Sequence, residues 1–244
     1  MARCETLSAR SYVANSSYDR FKPPYRTYLF DLDGTLIDSV ELILRSYRHT
    51  AQVHLGFVPP DEVWLEGMGT PLRRQLEGLS SDAVLVEAML HTYREYNREH
   101  HDALVKEFPG ARRAVEWLHR LGVRLGVVTS KLRSSALRGL AVCGMEEMFS
   151  VVVGMDDVER HKPDPAPVLL ALERLGADAE ETIFIGDSPH DLAAGRAAGV
   201  ATGAALWGPI ARALLEPFEP DFWLSHPEDI VTLERHLADR RDGE

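Results

Sequence analysis

Tyr28-Leu29-Phe30-Asp31-Leu32-Asp33-Gly34-Thr35 is the stretch that decides the fold. Two aromatic residues and a leucine followed at once by carboxylates and a glycine read as a buried strand that ends in an acidic turn. Working outward, a helix is expected from about Asp38-Ser39, where Asp38 and Glu41 have capping-box spacing and Leu42, Ile43, Leu44 and Tyr47 supply apolar faces. Pro59-Pro60-Asp61 opens a second helical stretch, and the pattern stays helical to about Lys106, without a convincing strand. Pro109-Gly110 then punctuates the chain.

Beyond that point strands and helices alternate. Helices are expected over 111–121, 134–142, 165–175 and 192–198, and strands over 123–128, 150–153, 182–185 and 201–205. Continuous apolar strands separated by amphipathic helices imply a parallel sheet covered on both faces. The fold class is therefore α/β, a doubly wound, Rossmann-like core interrupted after its first strand by an all-helical insert. The expected division is 26–40 and 107–244 for the core and 41–106 for the insert, with 1–25 an extension lacking regular structure. No internal repeat or low-complexity tract is present.

The chain has 244 residues, 45% of them hydrophobic, enough for a core domain with an insert. A formal net charge of −11 with no basic run argues against nucleic acid or an anionic membrane surface as partner. No apolar run approaches a membrane span, and residues 1–25 lack the apolar segment of a secretory signal. Two cysteines, Cys4 and Cys143, form neither a disulfide framework nor a metal spacing, which suits the cytoplasm. A monomer or weak homodimer is the expected state.

In open α/β sheets ligands bind at the carboxyl ends of the strands. Those ends carry Asp31 and Asp33, then Thr129-Ser130-Lys131, then Gly186-Asp187-Ser188-Pro189-His190-Asp191, with Lys162-Pro163 between the last two. One aspartate alone would most simply cap a turn. Four carboxylates at adjacent strand ends would repel one another, and a hard divalent cation such as Mg²⁺ relieves that repulsion. Asp31 can serve as a covalent nucleophile for phosphoryl transfer and Asp33 as its acid/base partner. Thr129 or Ser130 can bond a phosphate oxygen, and Lys162 can neutralise charge on the transferring group.

Asp31-Leu32-Asp33-Gly34-Thr35, Thr129-Ser130, Lys162-Pro163 and Gly186-Asp187…Asp191 together resemble the four ordered motifs of the haloacid dehalogenase superfamily. The resemblance implies Asp31 as nucleophile, Asp33 as acid/base, and Mg²⁺ held by the Asp31 carboxylate, the Asp33 carbonyl and Asp187, with Asp191 supporting. The helical insert resembles the cap of the subgroup that contains phosphoglycolate phosphatase and β-phosphoglucomutase. The stretch Tyr93–Asp102, with Thr129-Ser130-Lys131 and Asp156-Asp157-Val158-Glu159, looks like the inorganic pyrophosphatase branch. The implied substrate is thus a small phosphorylated compound, pyrophosphate first and a phosphomonoester such as phosphoglycolate second. A β-phosphoglucomutase-type phosphomutase ranks below both, because Thr35 resembles the phosphatases. A cap selecting pyrophosphate should offer cations and donors, for which Arg73, Asn97, His100, His101 and Lys131 are candidates. The alternative for the His100–His101 pair is a solvated helix face.

Overall fold

The computed structural model describes residues 22–233. Strand β1 (Thr27–Phe30) is entirely buried and passes through the acidic turn to the short β2 (Ile37–Asp38). Helices α1 (Val40–Leu55), α2 (Asp61–Glu66), α3 (Leu72–Glu77) and α4 (Ala83–Leu104) follow, and β3 (Lys106–Glu107) returns antiparallel to β2. From there α5 (Ala111–Arg120), β4 (Arg124–Val128), α6 (Arg133–Val142), β5 (Val151–Val153), α7 (Ala166–Leu175), β6 (Thr182–Gly186), α8 (Pro189–Ala197) and β7 (Ala201–Ala205) alternate. The described chain closes with α9 (Arg212–Leu215) and β8 (Phe222–Leu224).

The main sheet has six strands in the order β5-β4-β1-β6-β7-β8, every neighbouring pair parallel. Central β1 and β6 are covered on both sides. Tyr28 and Phe30 join Trp117 and Leu140 in the apolar layer on one face, while Leu29 and Phe184 join Val168 and Ala194 on the other. That two-sided cover is the physical reason these strands read as unbroken apolar runs. The architecture is α/β and doubly wound, as the alternation implies.

Four details differ from the sequence expectation. The Asp38–Glu41 capping box does not form: Ser39 occupies the N-cap position of α1, its hydroxyl donates to Asp33, and Asp38 pairs across the short ladder with Lys106. That two-residue ladder was invisible because two residues carry no periodicity. Helix α8 begins three residues earlier than its apolar pattern, since Ser188 and Asp191 form a reciprocal capping box. A sixth strand, β8, extends the sheet where no strand was expected. Residues 1–21 of the expected extension, and with them Cys4, lie outside the described residues, whereas Tyr25 is buried edge-on against Tyr28 and Phe222.

Helices α1–α4 share an apolar cluster of their own, with Tyr47 stacked on Trp64 at 4.3 Å between ring centroids and Leu76, Met89 and Leu90 sealed beside them. The cluster continues without a break into Leu192 of α8, Ala204 of β7, Ile210 and Leu215. This seats the helical insert over the carboxyl ends of the strands.

Candidate active site

Asp31 leaves β1 at the floor of a cavity of about 320 Å³ that lies between the helical insert and the strand ends. Its Oδ1 accepts from Lys162 Nζ at 2.9 Å. The same ammonium donates to Asp191 Oδ1 at 2.6 Å and to the Val128 carbonyl at 3.1 Å, so all three of its protons are placed. Lys162 is almost fully buried. Burial alone would depress its pKa, but Asp191 and Asp31 outweigh that penalty and hold it above the ordinary lysine value.

Asp187, at the end of β6, accepts from Thr35 Oγ1 at 2.9 Å, which ties the first acidic turn to the last. Gly34 sits directly beneath: its φ is +87°, and a Cβ there would collide with the Asp187 carboxylate. Asp191 Oδ2 is held by the Ser188 hydroxyl at 2.6 Å and the Ser188 amide at 3.0 Å. With Lys162 on its other oxygen, Asp191 is engaged on both sides. Ligand oxygens of Asp31, Asp187 and Asp191 all lie within 4.8 Å of one another.

Three buried carboxylates and one ammonium leave negative charge uncompensated. Burial, and then Asp191, push the Asp31 carboxyl up to about 7 against the pull of Lys162. Burial, and then Asp31 and Asp191, likewise raise Asp187 well above the usual carboxylate range. An all-oxygen donor set with surplus negative charge fits a hard divalent cation, which would return these groups to their ionised forms.

Around this floor, Asp33 accepts from Lys131 Nζ at 2.6 Å and from the Ser39 hydroxyl. Thr129 is buried at the end of β4, and its Oγ1 accepts from the Lys131 amide at 3.2 Å. Ser130 donates its hydroxyl to the carbonyl of Gly69 at 2.7 Å, so it grips the insert's loop between α2 and α3. Asp31, Asp33, Asp187, Thr129, Ser130, Lys131 and His101 all line the cavity, with Lys162 and Asp191 packed just behind.

Two expected substrate contacts lie elsewhere. Arg73 pairs with Glu87 at 2.6 Å on the exposed side of the insert, and His100 stacks on Tyr96 with its Nδ1 against the Tyr96 carbonyl; neither lines the cavity. Adjacent helix residues project about 100° apart, and here the rotation of α4 brings His101 to the cavity and leaves His100 off it. His101 takes the inward place, with Nδ1 2.8 Å from Asp102. The residues overlooked were Arg94, Arg98 and Arg138, which line the cavity, and Ser188, whose Ser-x-x-Asp spacing is a capping signal readable from sequence. Trp207 donates Nε1 to the Thr35 carbonyl at 2.9 Å, which helps hold the first acidic turn.

No helix among the described residues is long and apolar enough to cross a membrane. Residues 28–205 match the haloacid dehalogenase-like hydrolase family. A pyrophosphatase PpaX from Halalkalibacterium halodurans is 40% identical over 207 residues, spanning 85% of this chain and 95% of that one. Among solved structures, a protein from Bacteroides fragilis described as a haloacid dehalogenase-like hydrolase superposes with a TM-score of 0.78 at 30% identity, covering 83% of this chain and 97% of its own. One from Lactobacillus plantarum, described as a phosphoglycolate phosphatase, gives a TM-score of 0.77 at 27% identity, covering 86% and 99%. The acidic strand-end cluster and these likenesses have one reading: the chain belongs to the haloacid dehalogenase-like hydrolases.

Proposed function

We propose that this protein is a Mg²⁺-dependent phosphohydrolase that works through an aspartyl-phosphate on Asp31, with inorganic pyrophosphate as its preferred substrate. The observation that carries the reading is Asp31 itself, a buried carboxylate at the floor of the cavity with one oxygen held by Lys162 and two more carboxylates beside it. Pyrophosphate is favoured because the relative at 40% identity bears that activity in its name and the match spans the insert as well as the core. In this reading 41–106 is a cap that closes over a core of 26–40 and 107–244, and the enzyme works in the cytoplasm, where the buried Cys143 stays a thiol.

Lys162 fixes Asp31 Oδ1, leaving Oδ2 to form the bond to phosphorus. As that bond forms, the bond from phosphorus to the leaving oxygen breaks, and Asp33, protonated from solvent beforehand, gives its proton to that oxygen. Lys131 and Ser39 hold Asp33 in place for this transfer. Water then attacks the phosphorus of the aspartyl-phosphate, Asp33 takes the water's proton, and Asp31 and phosphate are released. Thr129 bonds a phosphoryl oxygen throughout. Asp31, Asp187 and the Asp33 carbonyl would hold the cation, with Asp191 positioning Lys162 behind them. Mg²⁺ bound there would supply charge neutralisation for the carboxylates and the phosphoryl oxygens.

The deciding experiment is a phosphate-release panel with Mg²⁺ on pyrophosphate, 2-phosphoglycolate, sugar phosphates and nucleotides. The highest kcat/KM is expected on pyrophosphate, with loss of turnover on chelation. Activity indifferent to chelator would remove the metal, and a higher kcat/KM on 2-phosphoglycolate would establish the second reading, which the Lactobacillus plantarum likeness favours. Conversion of glucose 1-phosphate to the 6-phosphate without free phosphate would replace hydrolysis by a mutase reaction.

A further inference from the structure

Helix α4 turns Tyr93, Arg94, Asn97, Arg98 and His101 toward the cavity, the three-and-four spacing of a single helix face. Asn97 is engaged, donating to Ser46 Oγ at 3.2 Å. Arg94 and Arg98 are exposed residues at the rim of the cavity, and their guanidinium groups have no acceptor among the described residues. Elsewhere on the insert Arg45, Arg48 and Arg73 each meet a carboxylate, while Arg74, which has none among the described residues, lies off this cavity. Opposite, Arg138 of α6 donates to the Arg98 carbonyl at 3.0 Å and pairs with Asp102 at 2.9 Å, so the core braces this part of the helix. His101 lies on the same wall, 2% exposed, with Nε2 lacking a partner.

The rest of the cavity has room and apolar wall beyond what a small inorganic ion fills. Its volume of about 320 Å³ falls within the range of small-molecule sites, roughly 300–1,000 Å³. Ile43, Tyr47, Met68, Leu72 and Tyr93 give it an apolar side that phosphate oxygens cannot use. The floor is acidic, so a substrate that carries a second anion besides the scissile phosphoryl needs cations away from that floor. The planar fork of an arginine matches phosphate and carboxylate oxygens two at a time.

We infer that Arg94 and Arg98 form a second anion subsite on the insert's side of the cavity, selecting phosphorylated substrates that carry another phosphate or a carboxylate, with room for a short carbon segment between the two charges. The inference rests on the reading of Asp31 as the phosphoryl acceptor. Pyrophosphate is then the shortest member of the class rather than its limit.

The test compares the wild-type enzyme with the R94A/R98A double variant in Mg²⁺, on pyrophosphate, 2-phosphoglycolate and phenyl phosphate, which has no second anion. Losing charged hydrogen bonds should lower kcat/KM about tenfold or more on the first two, mainly through KM, and markedly less on phenyl phosphate. Calorimetric titration with methylenediphosphonate and methylphosphonate reads the subsite without turnover. The wild type should bind the diphosphonate about tenfold more tightly, a preference the variant loses. Equal losses on all three substrates, or an unchanged preference for the diphosphonate, would overturn the subsite. A wild-type enzyme that hydrolyses none of the substrates would instead defeat the reading of Asp31, and the titration would still decide the subsite.

Discussion

At the scale of single residues, the site holds an electrostatic conflict. Asp31, Asp187 and Asp191 are buried together with one ammonium to share. The conflict has a thermodynamic signature. The Asp31 carboxyl is raised to about 7 in the folded protein, from 3.8 for an unperturbed aspartate, so the folded state binds the proton more tightly than the unfolded chain. Stability from this group is complete below about pH 4 and is lost as pH rises through about 7 in cation-free protein. Asp31→Asn should therefore abolish phosphate release yet melt at a higher temperature than the wild type when both are scanned in chelator above pH 7. Mg²⁺ should raise the wild-type Tm far more than the variant's. Retained turnover would dispose of the covalent step, and a lower variant Tm in chelator would dispose of the charge conflict.

At the scale of elements, the insert's loop between α2 and α3 is pinned between two strand-end loops of the core. The Gly69 carbonyl accepts from Ser130, which follows β4, and Gly69 Cα lies against Ser188, which precedes α8. Gly69 has φ +89°, and a Cβ there would lie 2.8 Å from Ser188 Oγ. An alanine would meet both the left-handed penalty of about 1–2 kcal/mol and this contact. Gly69→Ala should lower kcat/KM about tenfold by holding the insert off the core, with a Tm shift of only a few degrees. Steady-state kinetics beside a melting curve decide it; unchanged kcat/KM would mean the loop seats without the glycine. By its Gly and Pro residues the stretch Gly67-Met68-Gly69-Thr70-Pro71-Leu72 reads as a plain helix–helix turn, and only a resemblance to the family's cap loop points it at the site. Its partners, Ser130 and Ser188, lie far along the chain, and no local pattern links them to it.

At the scale of the whole molecule, the insert is continuous with the core. Its apolar cluster runs from Tyr47, Trp64 and Met89 into Leu192, Ala204 and Leu215. Met89 is fully buried in it, so Met89→Ala should cost about 2–5 kcal/mol. Because the apolar contact is shared, both parts should unfold in one calorimetric transition, displaced as a unit in the variant. Two resolved transitions, with only the first displaced, would show that the insert is stabilised separately.

What the sequence by itself determined is the core and the placing of its acidic strand ends. Apolar strands buried on both faces announce themselves as unbroken runs, and the residues that follow them, Asp31, Asp33, Thr129, Lys162 and Asp187, fall on one sheet edge because a parallel sheet puts every strand's carboxyl end on the same side. Only the tertiary structure decided the cavity's other wall. Arg73, Arg94, His100 and His101 are all polar residues on helices and are indistinguishable by composition. Which of them face the strand ends depends on how α3 and α4 rotate to bury Leu76, Met89 and Leu90. That rotation is set by packing between segments distant in the chain, so Arg94 and His101 turn inward while Arg73 and His100 turn away.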